Sequence, residues 1–220
     1  MKNSLKTKME IERIRFDKIK EIISNFQSQI EVPDSVFDSV IYPEEIQELS
    51  KTHWTPIKVA IEASKMLVTH PNTRVLDVGS GCGKFCFVAS LSGFGFFLGI
   101  EIRLYLHEIA MRKKEILNME NVEFLLGDMT DLDWSKFDAF YLYNPFYENI
   151  TNYNHIDKSI PLNRNYFKRY TSIVTAQLRK CKTNTRVVTY HGFGGDMPDD
   201  YFCQETKKIG SGELNLWIKS

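Results

Sequence analysis

Between Arg74 and Tyr190 short apolar runs alternate with longer stretches of helical spacing, and this alternation restricts the fold more than any other feature. The runs are Arg74–Val78, Phe96–Ile100, Val122–Leu126, Phe137–Tyr143 and Arg186–Tyr190. Helical patterns begin near Lys84 and cover Arg103–Asn118 and Arg164–Cys181. Strands that take turns with helices form a parallel sheet covered on both faces. The last two runs differ: Tyr201–Lys208 and Glu213–Lys219, joined by Gly210-Ser-Gly212, read as an antiparallel hairpin. The expected fold class is therefore α/β, a doubly wound, mostly parallel seven-strand sheet closed by a C-terminal antiparallel hairpin.

The region before the sheet reads as helical. Residues 1–32 contain neither Gly nor Pro, and Met9, Phe16, Ile19, Ile23, Phe26 and Ile30 recur at spacings of three and four. That stripe predicts one amphipathic helix ended by Val32-Pro33, packed on the domain or paired as a short coiled coil. Asp34 to Thr52 is acidic and loosely patterned. Thr55-Pro56 then predicts the start of a helix through Leu67, with Thr55 as N-cap and Pro56 at the first helical position. This places an N-terminal helical extension at 1–54 and the sheet domain at 55–220.

The charge sums to zero over 28 basic and 28 acidic residues, so no overall field draws the chain to nucleic acid or to a membrane. The uncharged run Phe85–Ile100 is shorter than the ~20 residues a span needs, and Gly93, Gly95 and Gly99 interrupt it. The charged start has no apolar signal region, and four scattered cysteines without a CxxC pair fit a reducing, cytoplasmic compartment. Cys82 and Cys86 share helical spacing but have no His cluster beside them, so no metal is expected.

Val75-Leu-Asp-Val-Gly-Ser-Gly-Cys-Gly83 joins the first strand to a helix. Glycines there let the backbone approach a ligand where a Cβ would collide, and the helix N-terminus favours negative charge. Asp77 enters the loop where it could accept from an ammonium or a bound water. Glu101 ends the second strand, where a carboxylate can take both hydroxyls of a ribose. The third strand ends in Gly127-Asp128-Met129, whose carboxylate could accept from an adenine amino group.

These motifs resemble, in order and spacing, those of class I S-adenosyl-L-methionine-dependent methyltransferases. The glycines are spaced GxGxG as in that family, not GxGxxG as in nicotinamide enzymes. The resemblance covers about Thr55 to Ser220. It implies S-adenosylmethionine as cofactor, with Asp77 at the loop's entry and Gly79, Gly81 and Gly83 beside its methionine end. Glu101 would hold the ribose, and Asp128 and Met129 would flank the adenine. His53-Trp54-Thr55-Pro56 resembles a segment that folds over the methionine end in several such families. The family form has a full helix before the final hairpin. Here only His191 to Asp200 separates the two, which predicts an ordered loop.

Tyr143-Asn-Pro-Phe-Tyr-Glu148 ends the fourth strand, again at the carboxyl edge where ligands bind. It resembles the Asn/Asp-Pro-Pro-aromatic motif of nitrogen-directed methyltransferases, with Phe146 in place of the second Pro and Tyr147 in the aromatic slot. The resemblance implies that Asn144 and the Pro145 carbonyl orient the acceptor nitrogen, with Phe146 and Tyr147 packed around it. A short Asn-aromatic motif here also resembles protein-lysine methyltransferases, and Asn-Pro by itself also turns a chain. Glu148, Tyr147 and His191 are candidates for taking a proton from a lysine acceptor.

Lys158 to Arg186 holds eight basic residues, no acid, and the interleaved Tyr166, Phe167 and Tyr170. Such a segment suits nucleic-acid phosphates and bases, an acidic protein, or simply a solvated helix face. The leading expectation is methylation of a nitrogen on a protein side chain. A nucleobase N-methyltransferase and a non-catalytic cofactor-binding subunit remain as alternatives, and oligomeric state is open.

Overall fold

A computed structural model describes residues 2–220. Its centre is one seven-stranded sheet in the order β3-β2-β1-β4-β5-β7-β6. The strands are β1 (Arg74–Val78), β2 (Phe96–Glu101), β3 (Val122–Leu126), β4 (Ala139–Leu142), β5 (Arg186–Tyr190), β6 (Tyr201–Ile209) and β7 (Gly212–Lys219). The first five are parallel, and β7 joins antiparallel to β5 and β6, as the sequence predicts. β1 and β4 are neighbours although two strands intervene in sequence. The order reverses there, which opens a crevice beyond their carboxyl ends.

Alternation along each strand divides the interior into two cores. Val75, Phe97, Phe124, Tyr141 and Val188 face one side; Leu76, Val78, Leu98, Phe140 and Val187 face the other. The first face is covered by α4 (Ile57–Leu67), α5 (Lys84–Ser92) and α6 (Leu104–Leu117). The second carries α7 (Arg164–Lys180), through Val174 and Leu178, with Trp134 and Phe137 from the turns before β4. Residues 191–200 form the expected loop, held by Thr175 Oγ1 donating to Asp196 O at 2.8 Å.

The N-terminal region departs from expectation in three ways. α1 (Lys2–Gln27) is followed by two more helices, α2 (Asp34–Ile41) and α3 (Glu44–His53), where the sequence reads as loosely patterned. Phe37 and Ile46 drive this: each is fully buried, from segments too short to show a periodic stripe. The buried face of α1 is Ile19, Ile22 and Phe26, whereas Phe16 and Ile30 of the expected stripe are exposed, and Met9 lies outside the described side chains. Rotation of the helix was set by its contact with α2, where Arg15 donates to Val40 O and Ile41 O at 2.9 and 3.0 Å. Finally, Thr55 does not cap α4. Pro56 occupies the cap position and the first amide, Ile57 N, donates to Asp34 Oδ1 at 3.0 Å.

α1 to α3 share one apolar core with the sheet. Their polar tie is Lys84, the first residue of α5, which is 1% exposed. Its ammonium lies 2.7 Å from Asp34, 3.0 Å from Asp38 Oδ2 and 3.1 Å from Ser50 Oγ. No helix among the described residues is long and apolar enough to cross a membrane.

Candidate active site

A crevice of about 580 Å³ lies above the carboxyl ends of β1, β2, β3 and β4, well within the range of small-molecule sites. Of the residues expected to act there, Asp77, Gly79, Gly81, Glu101, Asp128, Met129, Asn144, Pro145, Phe146 and Tyr147 line it. Gly83 does not. It sits one turn deeper at φ 84° as the residue before α5, and a Cβ there would meet the Phe124 ring at 2.4 Å.

The loop after β1 is anchored from behind. Gly79 N and Ser80 N both donate to Ile100 O at 3.0 Å, and Gly81 N donates to Glu101 Oε2 at 2.9 Å. Gly81 has φ 54°, and Trp54 lies so close that a Cβ would be 2.5 Å from its indole nitrogen. No larger residue fits at that position. The segment before α4 therefore does roof the loop, with Thr55 Oγ1 and Tyr141 Oη 3.1 Å apart beneath it.

The charges differ in their commitments. Asp77 is 5% exposed, and burial pushes its carboxyl up to about 8, with a contact from Cys86 Sγ at 3.6 Å opposing and Glu101 reinforcing the rise. A carboxyl so placed is held largely uncharged at neutral pH, and an ammonium beside it would restore the charge. Burial also raises Glu101, offset by Arg103 N donating to its Oε1 at 2.8 Å. Each oxygen of Glu101 keeps a further lone pair for a ligand hydroxyl. Asp128 is tied on both sides, accepting from Thr130 N at 2.9 Å and from Tyr170 Oη at 2.8 Å.

This donor set fits S-adenosylmethionine. Asp77 would meet an ammonium and Glu101 a ribose diol. The indole N–H of Trp54 is buried with no hydrogen-bond partner among the described residues, so it is available to a carboxylate. A buried donor left unpaired is costly, which makes a ligand group the natural partner. We expect Glu101→Ala to weaken binding of S-adenosylhomocysteine by about 1–3 kcal/mol in calorimetry through lost charge-assisted bonds. Unchanged affinity in the folded variant would remove Glu101 from the site.

On the opposite wall, Asn144 has φ 40°; its N–H donates to Gly192 O at 2.9 Å and its C=O accepts from Tyr147 N at 3.2 Å. Its side-chain amide makes no hydrogen bond among the described residues and lines the crevice beside Pro145, which abuts Gly79. Phe146 is buried and stacked on Tyr170 at 5.2 Å between ring centroids, whereas Tyr147 is exposed at the rim. His191 also lines the crevice, beside Tyr143 at 5.9 Å, with Ser211 Oγ 3.4 Å from its Nε2. Glu148 is engaged by Arg103. His53 lines the crevice too, and burial lowers its imidazole below the ordinary value, so it is neutral at pH 7.

Of the basic and aromatic residues of the acid-free segment, Tyr166, Arg169 and Tyr170 reach the crevice. Others serve the fold: Lys182 pairs with Asp138, and Arg186 Nε donates to Met66 O at 2.6 Å. Arg103 and its partners carried no motif, because they lie 45 and 54 residues apart.

A sequence model described as a methyltransferase domain matches residues 69–179. No curated protein sequence matches the chain. Among solved structures, an RNA methyltransferase from Salinibacter ruber in complex with S-adenosyl-L-homocysteine superposes with a TM-score of 0.53 at 21% identity, covering 75% of this chain and 92% of that one. TrmN from Thermus thermophilus gives 0.58 at 13% identity over 79% of this chain, which spans 52% of TrmN. MtNAS, in complex with MTA and tNA, gives 0.52 at 15% identity over 94% of this chain and 70% of its own, coverage that reaches into the N-terminal helices. At these identities the likeness is one of fold.

Proposed function

Because the chain belongs to the methyltransferase-domain family, whose class I members use S-adenosylmethionine, we propose that it methylates a nitrogen on a protein side chain. The observation that carries this reading is the Asn144 amide, unpartnered among the described residues and set beside the Gly79–Pro145 contact. When bound, the cofactor supplies a methyl group already activated on a sulfonium. The chain's task is then to hold the acceptor in line and to exclude water, and orientation of this kind lowers a barrier by ~7–11 kcal/mol. Asn144 and the Pro145 carbonyl would accept hydrogen bonds from the acceptor's N–H groups, aiming its lone pair across the crevice. Phe146, stacked on Tyr170, gives that wall a fixed apolar surface. For a lysine acceptor, neutral His53 joins His191 as a group able to take the proton, while Glu148 is held by its ion pair.

One observation favours a nucleobase acceptor instead: Tyr166, Arg169 and Tyr170 bring part of the acid-free segment to the same crevice, a combination suited to stacking and phosphate contact. The two readings separate when the enzyme is incubated with methyl-labelled cofactor and a lysate of cells lacking the protein. We expect label that protease removes and nuclease leaves. Label with the reverse sensitivity would transfer the assignment to nucleic acid.

A further inference from the structure

Residues 149–163, between the fourth strand's motif and α7, run across the crevice without helix or strand apart from the turn at their start. Thr151, Tyr153, Ile156, Ile160 and Leu162 contribute to its wall. The ends of this strap are drawn together by Asn149, whose Oδ1 accepts from Asn163 N at 3.2 Å and whose Nδ2 donates to Phe146 O at 3.1 Å.

The middle of the strap is pinned by one side chain. Arg103 is 6% exposed, and its guanidinium donates from Nη2 to Glu148 Oε2 at 2.9 Å and from Nε to Asp157 Oδ1 at 3.1 Å. Glu148 uses its other oxygen to accept from Ile156 N at 2.7 Å, so one carboxylate grips both the motif and the strap. Asp157 Oδ1 also accepts from Ser159 N and Ser159 Oγ, at 2.9 and 2.7 Å, which shapes the turn that follows. The planar fork of arginine presents its donors to the two carboxylates in fixed directions, whereas an ammonium is a point charge on a flexible stem. The backbone N–H of Arg103 donates to Glu101. Two residues apart on one turn, Glu101 faces the crevice and Arg103 reaches over to the strap.

We infer that Arg103 is a positioning residue for methyl transfer, holding the strap 149–163 closed against the acceptor side of the crevice in fixed relation to Glu101. The inference rests on the methyl-transfer reading of this site. Glu148 and Asp157 are 15% and 31% exposed. They retain access to water when the guanidinium is removed, so its loss should leave the fold intact.

The test uses the full chain with S-adenosylhomocysteine as probe. In Arg103→Met, hydrogen–deuterium exchange of the amides in 150–160 should rise tenfold or more while those of β1 and β4 stay protected. The S-adenosylhomocysteine Kd should move less than threefold, and label incorporation into lysate should fall at least tenfold. Arg103→Lys should restore part of the protection and part of the incorporation. Unchanged exchange in the strap would overturn the inference, as would a loss of S-adenosylhomocysteine affinity equal to the loss of incorporation. Wild-type protein that bound no S-adenosylhomocysteine would instead sink the reading of the site. The exchange comparison would still report whether Arg103 pins the strap.

Discussion

Replacing Asn144 by glycine should lower methyl transfer about a hundredfold and leave S-adenosylhomocysteine affinity within threefold. Removing one preorganised polar group aimed at reacting atoms costs on the order of 10²–10³ in rate. A loss in turnover at constant cofactor binding marks a group that acts on the acceptor in the transition state. Glycine is the informative substitution because the backbone at 144 has φ 40°. Asparagine and glycine tolerate that region, and alanine would add ~1–2 kcal/mol of steric cost. The bonds from Asn144 N to Gly192 O and from Tyr147 N to Asn144 O persist in the glycine variant, so the turn stays and only the amide goes. Single-turnover measurement on the labelled acceptor decides it. Wild-type turnover would reduce the residue to a turn former.

Lys84→Ala should destabilise the protein by about 3 kcal/mol, the lower part of the range for breaking a buried ion pair. The lower part applies because Asp34 is 45% exposed and can rehydrate, whereas Asp38, at 10%, is left with Ser50 as its donor. For a chain of this size that corresponds to a Tm lower by roughly 6–12 °C. Asp34 also caps α4, so the loss should spread from α2 to the segment carrying Trp54. Cofactor affinity should then fall together with stability. Denaturant unfolding followed at Trp54, Trp134 and Trp217 measures it, and a change below 1 kcal/mol would show that water replaces the ammonium.

The strands, the hairpin and the glycine loop were legible in the sequence because each is set by local chemistry. A period of two marks the strands, φ-permissive glycines mark the loop, and a carboxylate or amide stands at or near the ends of the first four strands. Spacing alone thus put Asp77, Glu101, Asp128 and Asn144 on one edge of one sheet, as the structure has them. Local chemistry also misled where a neighbour decided the outcome. Thr55 has the composition of a cap, yet its hydroxyl lies against Tyr141, 86 residues away, and the cap comes from Asp34. The stripe on α1 fits several rotations, and contact with α2 chose Ile22 over Phe16.

The amino-acid sequence by itself determined the sheet and its direction, since these follow from periodicity, and it carried the loop motif whose resemblance implied the family. Tertiary structure alone decided that Trp54 closes on Gly81, that Lys84 binds α2 and α3 to the loop, and that Arg103 spans Glu148 and Asp157. Those contacts join residues 27 to 54 positions apart. Nothing in the chemistry of a lone lysine, arginine or tryptophan says which distant group it will meet once the apolar faces have packed.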